Sequence, residues 1–298
     1  MPCATRNWIP DRVYSRVLPA HNEAEMISDC LESITRQTHV PKEVIVVNDQ
    51  STDYTAAVVK PWTEKYAWIR LTETEQKAVE HLPGGKVVQC FYQGFKQLQH
   101  PWELIVKLDA DTVIPPDYFA VLSEAFEKNP KLGIAGGIAY EPDKHGAWKR
   151  FHPMHADHVR GSFKTYSKDC FSAIGGLKIS MGWDTVDELL AKFYGFETQS
   201  FESLHVKHRR PIGAAYHKKA KGMQGQAMYL MGYNWAIVLF ASAKLAAKQG
   251  NFFTFWEHLS GYYQASQRKL ARVVTSEQAQ FIRRYRMRGI LKTLKLLK

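Results

Sequence analysis

Trp102-Glu-Leu-Ile-Val-Lys-Leu-Asp-Ala-Asp111 is the stretch on which the reading of this chain turns. Trp102 to Leu108 is strand-like, and it ends in Asp109-Ala110-Asp111. In an extended backbone residues two apart point the same way, so both carboxylates face one spot at the strand's carboxyl end. A hard divalent cation takes one or two protein carboxylates and completes its shell with water and substrate phosphates. The placement therefore points to a diphosphate substrate. Taken alone, an Asp-x-Asp is also what an acidic surface turn looks like, and the flanking sequence has to decide.

Upstream of that strand the chain alternates short apolar runs with helical periodicity. Tyr14 to Leu18 is strand-like and runs into Pro19-Ala-His-Asn-Glu23, after which Met26, Ile27, Cys30, Leu31 and Ile34 recur at helical spacing. A second unit begins at Glu43-Val-Ile-Val-Val47 and turns at Asn48-Asp49-Gln-Ser-Thr-Asp53, with Ser51 or Thr52 as the expected helix cap. A weaker strand is expected at Trp68 to Leu71. Gly84-Gly85-Lys86 then opens a helix whose apolar face is Val87, Val88, Phe91, Phe95 and Leu98. This alternation predicts an α/β fold, a mostly parallel sheet with helices on both faces. Ligands bind beyond the carboxyl ends of the strands in such sheets, and Glu23, Asp49, Asp109 and Asp111 all fall there.

Four collinear blocks carry a resemblance to the family 2 glycosyltransferases, which have the A-type nucleotide-sugar-binding fold. They are Leu18-Pro-Ala-His-Asn-Glu23, Val46-Val-Asn-Asp-Gln-Ser-Thr-Asp53, Leu108-Asp-Ala-Asp111, and Ile174-Gly-Gly-Leu177 followed by Trp183-Asp184, within roughly residues 12 to 200. The resemblance implies that Ala20 and Glu23 line the nucleotide site and that Asp49 contacts the base. It implies Asp109 near the ribose and donor sugar, and Asp111 as the main protein ligand of Mg²⁺ or Mn²⁺. Lys86 looks like the family's lysine near the nucleotide, although the stretch after it departs from the usual pattern.

Asp184 is the family-like candidate for general base, because a sugar hydroxyl titrates far above neutrality and needs a carboxylate to take its proton during attack. Typical members have Glu-Asp at this point and this chain has Trp183-Asp184. A plain helix cap at Asp184, with Asp187 completing a capping box, is the competing reading, and both roles can coexist. Several relatives place a metal-holding histidine after this segment, and in His205-Val-Lys-His208 the choice falls on His208. The same histidine also reads as a partly exposed residue of a basic stretch. Arg209 and Arg210 could bind the diphosphate or an anionic acceptor.

The chain has 298 residues, 45% of them hydrophobic, enough for one large core plus an appendage. Cys3, Cys30, Cys90 and Cys170 show no metal-type spacing, which reads as a reducing compartment. Met1 to Arg12 lacks the apolar core of a secretory signal, so the expected location is cytoplasmic. Residues 1–217 hold 25 Lys/Arg against 27 Asp/Glu, whereas residues 218–298 hold 15 against 2. The expected organisation is thus a catalytic domain over 1–217 and a basic, mainly helical extension over 218–298. Phe281 to Lys298 has seven basic residues, no acid and apolar residues at helical spacing. A basic amphipathic helix suits an anionic membrane surface, with nucleic acid the less favoured partner and a core-packed helix with a solvated basic face the plain alternative. Met228 to Ala243 is uncharged, yet shorter than the about 20 residues that span a bilayer. It reads as an interfacial or a buried helix.

Together these features predict a metal-dependent, inverting, hexosyltransferase-like enzyme at the inner face of the cell membrane. It would move a sugar from a nucleotide diphosphate sugar to a hydroxyl of a lipid-linked or cell-surface glycan. One alternative is a polyprenyl-phosphate sugar synthase, whose anionic acceptor needs no general base. The other is an inactive nucleotide-sugar-binding scaffold recruited to membrane or RNA.

Overall fold

The strand–helix alternation is realised from residue 14 onward. The structure, a computed structural model, describes residues 14–74, 84–143, 145–150, 158–210 and 221–295. Strands β1 (Tyr14–Ala20), β2 (Glu43–Asn48), β3 (Ile69–Glu73) and β4 (Leu104–Leu108) run parallel in the order β3-β2-β1-β4. β2 and β4 are buried at every position, as strands covered on both faces must be. Helices α1 (Ile27–Thr35), α2 (Thr55–Lys65) and α3 (Gly85–Phe95) make the crossovers. In α1 the apolar spacing seen in the sequence turns Ile27, Cys30, Leu31 and Ile34 into the core.

The second half of the sheet is mixed, which apolar runs alone do not reveal. After the short strand β5 (Thr112–Val113) and helix α4 (Tyr118–Lys128) come β6 (Leu132–Pro142), β7 (Trp148–Arg150), β8 (Phe163–Ser167), the short helix α5 (Lys168–Ala173), helix α6 (Trp183–Phe193) and β9 (Glu197–His208). β8 pairs antiparallel with β4, β6 antiparallel with β8, and β9 parallel with β6. β9 then receives β5 antiparallel, in a register that sets Thr112 opposite His208. This closing pair brings a residue 97 positions further along the chain beside Asp111, and no local pattern announces it.

The chain divides into two compact units. One comprises the described residues of 1–76, 90–173 and 196–211, and it holds the whole sheet. The other comprises the described residues of 77–89, 174–195 and 212–298, and its regular elements are helical.

The sheet unit buries charge. Arg16, Lys107 and Lys164 are at most 2% exposed, and Lys107 and Lys164 are cross-strand neighbours. The Arg16 guanidinium lies 3.2 Å from the centroid of the Phe119 ring, and none of its nitrogens has a hydrogen-bond partner among the described residues. Burial drives its pKa well below the usual arginine value.

In the helical unit, α7 (Lys221–Leu230), α8 (Trp235–Gln249), α9 (Phe253–Gln267) and α10 (Ser276–Thr293) follow one another. α7 and α9 meet so closely that a Cβ at Gly225 would fall 1.9 Å from the carbonyl oxygen of His258. The uncharged run from Met228 to Ala243 is not one helix. It breaks at Gly232, whose φ of +79° the chain adopts before the Asn234 side chain caps α8 by accepting from the Ile237 amide. No described helix is long and apolar enough to cross a membrane. α10 opens on a capping box between Thr275 and Gln278. Its apolar side is used inside the unit. Ile282 is fully buried, the Phe281 ring lies 5.5 Å from that of Phe193, and Arg286 sits over Tyr233 at 5.8 Å.

Candidate active site

Two loops at the carboxyl edge of the sheet are laced together by side chains. The His21 Nδ1 lies 2.6 Å from the Asp49 carbonyl. The amides of Asn22, Glu23 and Ala24 donate to Ser51 Oγ, Thr55 Oγ1 and Asp53 Oδ2 at 2.9, 2.8 and 3.1 Å. The Thr52 amide returns the contact to Asn22 Oδ1 at 2.8 Å. Asn22 and Gln50 turn the chain in the left-handed region, with φ of 56° and 52°, a conformation that Asn tolerates better than most residues. Ser51 and Thr52 are therefore not the cap of α2, as the sequence suggested. They tie the second loop to the first, and Asp53 receives the Thr55 amide at 3.0 Å instead. Ala20 is buried at the end of β1, and the half-buried Asp49 accepts the Thr74 hydroxyl at 3.1 Å.

Asp109, Asp111 and His208 each offer a ligand atom, and the three atoms lie within 4.8 Å of one another. Of the two histidines weighed in the sequence, His205 lies against Tyr140, ring centroids 4.4 Å apart, on the exposed side of β9, and His208 joins the acids. The His208 Nδ1 lies 2.6 Å from the Arg210 carbonyl, so that nitrogen carries the hydrogen and donates it. Nε2 is then left 3.5 Å from Asp111 Oδ1 and 3.4 Å from Ser162 Oγ. A lone pair facing a carboxylate oxygen calls for a proton or a cation between them. Burial first, and then the Asp109 charge, raise the pKa of Asp111 against the pull of His208 and Arg210. Asp109 is partly compensated by an ion pair with the buried Lys107. Two carboxylates and one imidazole nitrogen converging in this way fit a hard divalent cation such as Mg²⁺ or Mn²⁺. A hydrogen bond from the other ring nitrogen to a backbone carbonyl is the usual way a metal-binding histidine is oriented.

Glu23 completes the acidic edge. Its pKa is pushed up to about 7 by burial and by the Asp111 charge, opposed by Arg210. Arg210 holds both Glu23 oxygens, at 3.0 and 2.9 Å, and Arg209 is ion-paired with Asp29. Both arginines singled out in the sequence are thus engaged with acids of the sheet unit. Asn22, Asp53, Thr55 and Lys107 are the residues the sequence reading passed over. Asn22 and Asp53 lie inside the four family-like blocks and Lys107 inside the strand that opens the reading, where its pairing follows from sharing a strand face with Asp109.

Lys86 and Asp184 lie in the helical unit, in the first turns of α3 and α6. The residues just before those helices meet backbone to backbone. Gly84, at φ of +79°, would place a Cβ 3.2 Å from the Met181 Cα and 3.3 Å from the Ser180 carbonyl. The cap of α6 is Gly182, without a side-chain cap bond, so Asp184 is not the N-cap that the competing reading required. The Asp187 carboxylate is fully buried and accepts the Glu188 amide at 2.6 Å. Asp184 remains half-exposed at the positive end of a helix, where a negative charge is favourable. Cys30, Cys90 and Cys170 are buried, and the Cys30 thiol, its pKa raised by burial, lies 3.7 Å from the Asp109 carbonyl.

The acids thus gather at the carboxyl edge of the sheet, where open α/β sheets bind their ligands. The family model for glycosyl transferase family 2 matches residues 15–220, and the chain belongs to that family. Poly-β-1,6-N-acetyl-D-glucosamine synthase of Staphylococcus epidermidis is 33% identical over 125 residues, which cover 41% of this chain and 27% of that protein. The synthase of Staphylococcus aureus is 31% identical over 123 residues, which cover 41% of this chain and 27% of that protein. The match thus spans about a quarter of the length of these relatives. Among solved structures, S. aureus TarS in complex with UDP-GlcNAc superposes with a TM-score of 0.56 at 14% identity, covering 74% of this chain and 66% of that one. The mannosyltransferase PcManGT from Pyrobaculum calidifontis, in complex with GDP-Man and Mn²⁺, gives 0.56 at 16% identity, covering 100% and 85%. These likenesses establish the A-type fold.

Proposed function

We propose that the protein is a metal-dependent inverting glycosyltransferase, moving a sugar from a nucleotide diphosphate sugar to a hydroxyl of a lipid-linked or cell-surface glycan. The observation that carries this reading is the convergence of Asp109, Asp111 and His208 at the carboxyl edge of the sheet. These three would hold Mg²⁺ or Mn²⁺, which when bound neutralises charge developing on the leaving diphosphate. Ala20, at the end of β1, and Glu23 and Asp49, on the laced loops, bind and orient the nucleotide, and Lys86 supports it from the start of α3. Asp184 takes the proton of the acceptor hydroxyl as its oxygen attacks the anomeric carbon. The bond from that carbon to the diphosphate oxygen breaks on the opposite side, and the configuration inverts. The relatives at 33% identity are named for an N-acetylglucosamine polymer, so UDP-N-acetylglucosamine is the first donor to test. The strongly basic C-terminal part of the chain supports residence at an anionic membrane surface, the inner face of the cell membrane.

Calorimetry with UDP, GDP and their sugars, with and without Mn²⁺, tests the premise. Tight binding that requires the metal and is lost in Asp111→Asn supports it. Equal affinity with metal, after chelation and in Asp111→Asn removes it.

A further inference from the structure

Half of the exposed large apolar side chains among the described residues fall between Trp235 and Tyr263. The densest group is at the turn from α8 to α9. Phe252 is 71% exposed, Phe253 76% and Trp256 59%. Phe252 stacks on Phe255 at 5.8 Å, and Phe255 meets Trp256 edge-on at 5.4 Å, so the rings form one aromatic knob. The turn is fixed, because Gly250 caps α8 in the left-handed region and the Asn251 side chain accepts the Phe253 amide at 3.0 Å. α8 and α9 form an antiparallel hairpin, joined at its other end by Trp235 against Tyr262 at 4.6 Å.

Charge chooses the occupant. The acid nearest the knob, Glu257, is half-buried, no other acid occurs from Ser203 through Thr275, and the exposed residues of the last turns of α8 include Lys244 and Lys248. Exposed aromatics rimmed by lysines match an anionic lipid headgroup layer, where amphipathic rings settle at the interface and cations meet lipid phosphates. The basic helix α10 lacks this arrangement, since Phe281 and Ile282 are used within the helical unit. We infer that the α8–α9 turn, through Phe252, Phe253 and Trp256 with Lys244 and Lys248, is the surface that docks this protein on an anionic phospholipid bilayer. The inference rests on the membrane part of the proposed function and names the contact within it.

Flotation of the full chain with phosphatidylglycerol–phosphatidylcholine vesicles, against pure phosphatidylcholine vesicles, tests it. The variants are Phe252→Ser/Phe253→Ser/Trp256→Ser and, on exposed positions of α10, Arg284→Glu/Arg288→Glu. The aromatic variant should lose at least about tenfold in partitioning to anionic vesicles, with UDP binding and melting temperature unchanged. The α10 variant should retain most of its binding. If the aromatic variant floats like the parent while the α10 variant does not, the docking surface is wrong and membrane residence stands. If the parent ignores anionic vesicles altogether, membrane residence itself fails. If light scattering shows a parent dimer that the aromatic substitutions split, the surface belongs to a second copy of the chain and the inference is overturned.

Discussion

The two units differ in which costly groups they carry. The sheet unit buries the cations Arg16, Lys107 and Lys164 as well as Asp111, whereas the described residues of the helical unit bury only acids, Asp187 and Glu188, among Lys, Arg, Asp and Glu, and leave Phe252, Phe253 and Trp256 outside. Each such group costs stability where it occurs, since a buried ion loses hydration and an exposed ring forfeits burial. Such costs concentrate where a ligand is to complete the structure. On the reading proposed above, that ligand is a cation with its diphosphate for the sheet unit and a membrane surface for the helical unit.

Four measurements would break or sharpen this contrast. The largest effect is expected for Asp184→Asn, which keeps the volume but cannot accept a proton. Transfer should fall by at least about 10²-fold while donor binding holds, and near-normal turnover would move the reading toward a phosphate acceptor. Next, Asp111→Asn removes a direct metal ligand and should weaken metal-dependent nucleotide binding by more than the about 10- to 100-fold that loss of a ligand's outer partner costs. It should at the same time raise the melting temperature of the chelated protein, because it removes a buried carboxylate whose pKa is raised. Arg16→Met keeps the core filled and removes a guanidinium without hydrogen-bond partners among the described residues. Chemical denaturation should show a gain of about 1–3 kcal/mol with nucleotide affinity untouched, and a loss would mean that Arg16 is paired in solution.

The smallest effect concerns pH. Glu23 titrates near 7 when folded, against 4.5 for the ordinary carboxyl, so the native state binds more protons between those values. Stability of the chelated protein should therefore fall as pH rises across that window. Glu23 is partly solvated, and screening reduces the expected change to about 1 kcal/mol. Glu23→Gln should flatten the melting profile, and an unaltered slope would assign the change to other groups.

What is legible in the sequence follows the range of the interactions. β2 and β4 announce themselves because strands buried on both faces are nearly continuous apolar runs, β1 does so through Val17 and Leu18 although Ser15 and Arg16 interrupt it, and Asp109 and Asp111 share a face by the pleat alone. The antiparallel strands are not legible. β9 alternates buried and exposed residues as a strand half-open to water does, and its pairing with β5 is set by the sheet around it. His208 is singled out through resemblance, and only that pairing puts it beside Asp111. The capping role expected of Ser51 and Thr52 does not hold, for a related reason. Their partner, Asn22, is 29 and 30 residues away, and a hydroxyl near a helix start reads as a cap until its real partner is known.

The lacing of those two loops has a consequence in time. The amides of Asn22, Glu23, Ala24 and Thr52 each donate across the gap between the loops, so no one of them is released unless the others are strained. Exposed as the loops are, these four protons should exchange with deuterium as a single group, at a rate set by one shared opening. On the proposed function a nucleotide arriving there would meet a cleft already assembled, and stopped-flow association should be a single second-order phase with no preceding slow step.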